Sequence, residues 1–91
     1  MVDEWAESEL AWDLAETVAP LLPTPDRAAI YATLGAGYSY TAITTLVQAS
    51  ARGGYSLPAR LTDRLAEWLG PYTHSHDAAQ LQQFLNAIKT S

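Results

Sequence analysis

The stretch Ser39-Tyr40-Thr41-Ala42-Ile43-Thr44-Thr45-Leu46-Val47-Gln48-Ala49-Ser50-Ala51-Arg52 reads two ways. Tyr, Thr, Ile and Val are all favoured in strands. Strand alternation, however, sends Ile43 and Val47 to one face and Leu46 to the other. A helical period gathers Ile43, Leu46, Val47 and Ser50 on one side, so a helix is expected from about Ser39 to Arg52. Gly53-Gly54 then ends it.

Working outward, proline and glycine cut the rest of the chain into pieces that also fit helices. A first helix is expected from about Asp3 to Ala19, with Leu10, Leu14, Val18 and Leu21 as its stripe. Asp3, Glu4 and Glu7 suit the positive end of its dipole. Pro20 should end it, which leaves Pro20 to Pro25 as a stiff connector. Thr24-Pro25-Asp26 opens a second helix, with threonine as cap, proline at the first helical position and aspartate in the first turn. That helix continues through Ile30, Tyr31 and Leu34. Gly35 is its expected stop, in the left-handed conformation, and Gly37 lets the chain turn.

Beyond Gly54, a fourth helix is expected near Pro58, capped by Ser56 or Leu57. Leu57, Leu61, Leu65, Trp68 and Tyr72 form its stripe, and Gly70-Pro71 stops it. A fifth starts near Ser75-His76-Asp77 with Ser75 as cap and buries Ala78, Leu81, Phe84, Leu85 and Ile88. Lys89 would complement its dipole, and Thr90 and Ser91 are expected to fray. The chain therefore reads as a single all-α domain over residues 1–91, a small irregular bundle of four or five short helices with no strand. The expected core is Leu10, Leu14, Val18, Ile30, Leu34, Ile43, Leu46, Val47, Leu61, Leu65, Trp68, Leu81, Phe84, Leu85 and Ile88.

Composition agrees with such a domain. The chain has 91 residues, 48% of them hydrophobic, and no cysteine, so it must fold without disulfides or thiolate-bound metal. No apolar run approaches a membrane span, and the acidic start Met1-Val2-Asp3-Glu4-Trp5 is unlike the basic start of a signal peptide. A cytoplasmic protein without membrane contact is expected. The net charge of -5 disfavours nucleic acid and anionic membranes. Its distribution is uneven. Residues 1–26 hold seven acids and no base, whereas residues 27–91 hold five bases and three acids. No acid lies between Arg27 and Thr62.

Four features bear on function. Gly35-Ala36-Gly37 resembles part of a phosphate cradle, but Tyr40 occupies the third glycine position, no strand precedes it and no lysine follows. It reads as a helix stop and a turn. The same region is laid out loosely like a helix-turn-helix, with a turn that reads slightly long. In that reading Thr41, Thr45, Gln48 and Arg52 on the exposed face of the third helix meet DNA, and Arg27, Arg60 and Arg64 add phosphate contacts.

Trp5 and Trp12 share one face of the first helix, roughly 140° from the leucine stripe. Either that helix is sandwiched and both indoles are core, or they form a contact patch bordered by Ser8, Ala15 and Ala19 with Glu9 and Glu16 close by. The carboxylates of this helix are expected to be solvated, and an acidic rim steers basic partners. His74-x-His76 with Asp77 offers imidazole and carboxylate ligands but nothing to complete a metal shell, so no metal and no cofactor are expected. The residue spacing gives no sign of a catalytic triad. The favoured reading is a non-enzymatic protein-interaction module, an adaptor or regulatory subunit. Its expected surfaces are Trp5, Trp12, Glu9 and Glu16 together with Thr41, Thr45, Gln48 and Arg52. Its partner is another protein or a second copy of itself. A helix-turn-helix DNA regulator ranks next, and a small-molecule pocket lined by Tyr31, Tyr38 and Tyr40 ranks third.

Overall fold

The third helix is the middle of the structure. In the computed structural model, which describes residues 4–72 and 77–90, α3 spans Ser39–Gly53 and buries Ala42, Ile43, Leu46, Val47 and Ser50 on one face. The helical reading of this β-prone stretch is therefore the observed one. Around α3 lie α1 (Glu4–Val18), α2 (Thr24–Gly35), α4 (Ala59–Leu69) and α5 (Ala78–Ala87). The architecture is an all-α bundle of five short helices, and α3 packs against α1, α2 and α5.

The most extensive helix–helix interface joins α1 to α3, and α1 also meets α4 and α2. This central position explains why α1 buries a strip wider than its leucines. Ala11, Ala15 and Ala19 are as inaccessible as Leu10, Leu14 and Val18. The strip ends earlier than the sequence pattern predicts. Pro20 converts the next turn into a 3-10 segment, Ala19–Leu21, and leaves Leu21 exposed. Arg27 fastens this turn, donating from Nε to the carbonyl of Ala19 and from Nη2 to that of Leu22.

The turn between α2 and α3 works differently from expectation. Gly35 is the last helical residue of α2 and does not take a positive φ. Gly37 does, at φ 88°. The Gly37 amide donates to the Leu34 carbonyl and the Tyr38 amide to that of Thr33. This is a Schellman closure with Gly37 at the left-handed position. The connection is three residues, Ala36 to Tyr38, and so no longer than an ordinary helix-turn-helix turn. Gly54 ends α3 in the same manner, at φ 67°, with the Tyr55 amide donating to the Ser50 carbonyl. Gly53 is needed for space, since a Cβ there would lie 2.7 Å from the Tyr55 ring. The Tyr55 hydroxyl in turn donates to the Leu21 carbonyl, joining the end of α3 to the turn after α1.

Helix starts also differ in detail. Pro23, not Thr24, occupies the cap position of α2, so Pro25 falls in the second helical position. Pro58 caps α4, because Ser56 and Leu57 are engaged elsewhere. They form β1, which pairs in parallel with β2, Lys89–Thr90. The expectation of no strand and of a fraying Thr90 is corrected by this short bridge. Leu57, fully buried, anchors it. Lys89 consequently belongs to the bridge rather than to the last turn of α5. Asp77 occupies the α5 cap position, and Ser75 lies outside the described residues.

The core is one cluster and contains the expected residues. Phe84 and Leu85 are its half-buried margin, while Leu57 and Leu69 join it. Ser50 is the one buried polar side chain among the described residues, and its hydroxyl has no hydrogen-bond partner there.

Candidate functional site

The face of α1 that carries tryptophan is on the outside. Trp5 is 77% and Trp12 41% exposed, and Glu9 and Glu16 are exposed beside them. The sandwiched alternative, with both indoles in the core, is thereby removed. Residues 5, 9, 12 and 16 follow helical spacing closely, within about 60° of one another around the axis. Each carboxylate sits three or four residues from an indole, close enough for one ligand to touch both.

A neighbour widens this surface. The Trp12 and Tyr31 rings lie 6.0 Å apart between centroids and are tilted by 35°. Tyr31 is itself exposed, as are Ala28 and Ala32 of α2. The aromatic patch thus spans two helices.

The other acids of α1 have different partners. Asp13 Oδ2 accepts from Arg60 Nη1 and from Arg64 Nη1, each at 2.7 Å. Arg60 donating to Asp13 holds its carboxyl below the ordinary 3.8; burial opposes this, and the charge of Arg60 and the bond and charge of Arg64 reinforce it. Glu7 Oε2 accepts the indole N–H of Trp68 at 2.7 Å. Trp68 is buried and its ring meets Tyr40 at 5.6 Å. The expectation of uniformly solvated carboxylates on α1 is therefore corrected: α4 claims Asp13 and Glu7. Among the described residues Glu9 and Glu16 have no ion-pair partner.

The α3 surface is less open than its composition implies. Thr41, Thr45 and Arg52 are exposed, but Gln48 is half-buried. The Thr45 hydroxyl donates to the Thr41 carbonyl at 2.8 Å, and the Thr44 hydroxyl donates to the same carbonyl at 2.9 Å. Both donors are thus spent on their own helix. Thr45 forms one lip of a groove of about 320 Å³ between α2 and α3, lined also by Leu22, Asp26, Ala29, Ile30, Thr33 and Ala49. The structure separates this surface from the one carrying Trp5 and Trp12 by element. The first lies on α3 and the second on α1.

Several expected groups have other duties. Arg60 and Arg64 are committed to Asp13, and Arg27 to carbonyls, so phosphate contacts would have to compete with these bonds. Tyr31 meets Trp12 and Tyr40 meets Trp68, both at a tilt, so these two rings face different partners instead of one shared pocket. His74 and His76 lie outside the described residues. Among those described, no helix is long and apolar enough to cross a membrane.

Three of these contacts had a sequence signal that composition masks. Arg60 and Arg64 are four residues apart and directly precede Leu61 and Leu65, which places them at the edge of a buried stripe facing a neighbouring helix. Trp68 belongs to that same stripe. Nothing in the sequence identifies Tyr31 as the neighbour of Trp12. No family model matches the chain, and no curated protein or solved structure matches it significantly.

Proposed function

We propose that this chain is a small non-enzymatic protein-interaction module, an adaptor or regulatory subunit acting in the cytoplasm, that engages a protein through the aromatic face of α1. The observation that carries this reading is the exposure of Trp5 and Trp12 on one helix face, with Tyr31 beside Trp12. Tryptophan is costly to leave in water and is enriched where partners bind. An apolar patch bordered by carboxylates has the layout of an interface centre with a polar rim.

The reading is tested by Trp5→Ala and Trp12→Ala, alone and together. Each variant should keep its helical circular dichroism while losing capture of the partner recovered with the unaltered chain, or losing self-association by light scattering. Loss of helicity in both, or undiminished association in the double variant, overturns it.

A DNA-binding role ranks second. The three-residue turn and the left-handed Gly37 between α2 and α3 favour it. It would use Thr41, Thr45, Gln48 and Arg52. Salt-sensitive retention of duplex DNA, lost on Arg52→Ala and kept on Trp12→Ala, would move the assignment to that reading.

A further inference from the structure

We infer that the occupant of the α1 aromatic face is an arginine-bearing amphipathic helix of a different protein. This rests on the interaction reading above and adds the chemistry of the partner. Trp5, Glu9, Trp12 and Glu16 recur at intervals of four, three and four residues, which is the spacing of a seam on which a second helix lies lengthwise. Along that seam the two indoles are about 10 Å apart and so are the two carboxylates. A partner helix with cations seven residues apart would bring one to each carboxylate.

The neighbourhood of each carboxylate selects the cation. Glu9 is one turn from both Trp5 and Trp12, and Glu16 is one turn from Trp12. A guanidinium can lie flat on an indole while donating two parallel bonds to a carboxylate, which an ammonium cannot do. Phosphate-bearing ligands are disfavoured because Glu9 and Glu16 would face their charge.

A second copy of this chain is also a poor occupant. Its Arg60 and Arg64 are held by Asp13, and its Arg27 by the carbonyls of Ala19 and Leu22. Arg52 and Lys89 sit on separate elements. Among the described residues no helix of this chain therefore presents two available cations at the required spacing. The partner must bring them.

The experiment uses the full chain labelled with 15N and three synthetic helices of about 20 residues, long enough to be substantially helical. All have the same alanine–leucine background, with arginine, lysine or glutamate at two positions seven apart. The three indole N–H signals are internal reporters. The arginine peptide should shift those of Trp5 and Trp12 and leave that of Trp68, which donates to Glu7 inside the fold. Glu9→Gln with Glu16→Gln should weaken binding about tenfold. Glu67→Gln with Asp77→Asn, which removes the same charge elsewhere, should change it less than about twofold. The lysine peptide should bind more weakly, and the glutamate peptide should not bind.

If the arginine and glutamate peptides bind alike through Trp12, the cationic assignment is overturned while the interaction reading stands. Equal sensitivity to the two pairs of substitutions also overturns it, because attraction would then be to net charge alone. If no peptide moves either exposed indole, the assignment falls, and the interaction reading is judged separately by the Trp5 and Trp12 variants above.

Discussion

Glu7 and Asp13 border the face of α1 that α4 covers, whereas Glu9 and Glu16 border the exposed face that carries Trp5 and Trp12. The four acids come from one fifteen-residue helix. The first two are absorbed into the fold by Trp68, Arg60 and Arg64. The second two keep their charge outward. The tryptophans divide the same way. Trp68 is buried with its N–H satisfied, and Trp5 and Trp12 are exposed. Residue type therefore does not decide the role. The position around the helix relative to α4 does. This helix spends one side on stability and leaves the other exposed.

The largest expected effect tests that division directly. Leu14→Ala, on the inner side, should cost about 2–5 kcal/mol by denaturant unfolding, since it empties a site with no access to solvent. Trp12→Ala removes a larger side chain but one that is 41% exposed, and should cost less than Leu14→Ala. Comparable costs for the two would break the comparison.

A smaller effect is expected where a single hydrogen bond is at stake. Trp68→Phe keeps an aromatic ring but removes the donor to Glu7, and should cost about 1–3 kcal/mol. Trp12→Phe should be close to neutral. The difference between these two, measured by urea denaturation, compares a buried indole bonded to Glu7 with an exposed one.

The smallest effect concerns Asp13. Arg60 and Arg64 are 60% and 37% exposed in their side chains, so solvent screens both pairs, and Asp13→Asn should cost no more than about 1 kcal/mol. Its pH dependence is more diagnostic. With the native pKa held below 3.8, the unfolded chain takes up the proton first as acid is added. The contribution is complete above 3.8 and is lost as pH falls through the lower native value. Asp13→Asn should therefore flatten the acid limb of a stability-versus-pH curve.

Much of the fold was legible because apolar periodicity and glycine or proline punctuation agree along most of the chain. The stripe Ile43, Leu46 and Val47 overrode the strand preference of its own residues because only a helix buries all three together. Ala15 and Ala19 read as neighbours of the tryptophans but are buried, since a small residue is apolar enough for either side and only the neighbours decide. Gly35 was a reasonable stop, but the left-handed turn fell to Gly37, two residues on. The bridge of Leu57 to Thr90 was hidden because a two-residue strand has no periodicity to read. As for the candidate site, the wheel grouped Trp5, Glu9, Trp12 and Glu16 correctly, yet it could not tell an outer face from a second inner one. That distinction rests on α2, α3 and α4 covering the remainder of α1, which is long-range packing.

The parallel bridge between β1 and β2 has a consequence for the order in which the chain assembles. Antiparallel neighbours can zip from a short turn, but a parallel pair requires a crossover. Here the crossover contains all of α4 and α5, so closing it carries the entropy of a long loop. The helical hairpin of α2 and α3 has only a three-residue connection to close. Assembly therefore favours the hairpin early and the bridge late. The two residues of β2 are accordingly expected to pair after the helices have packed.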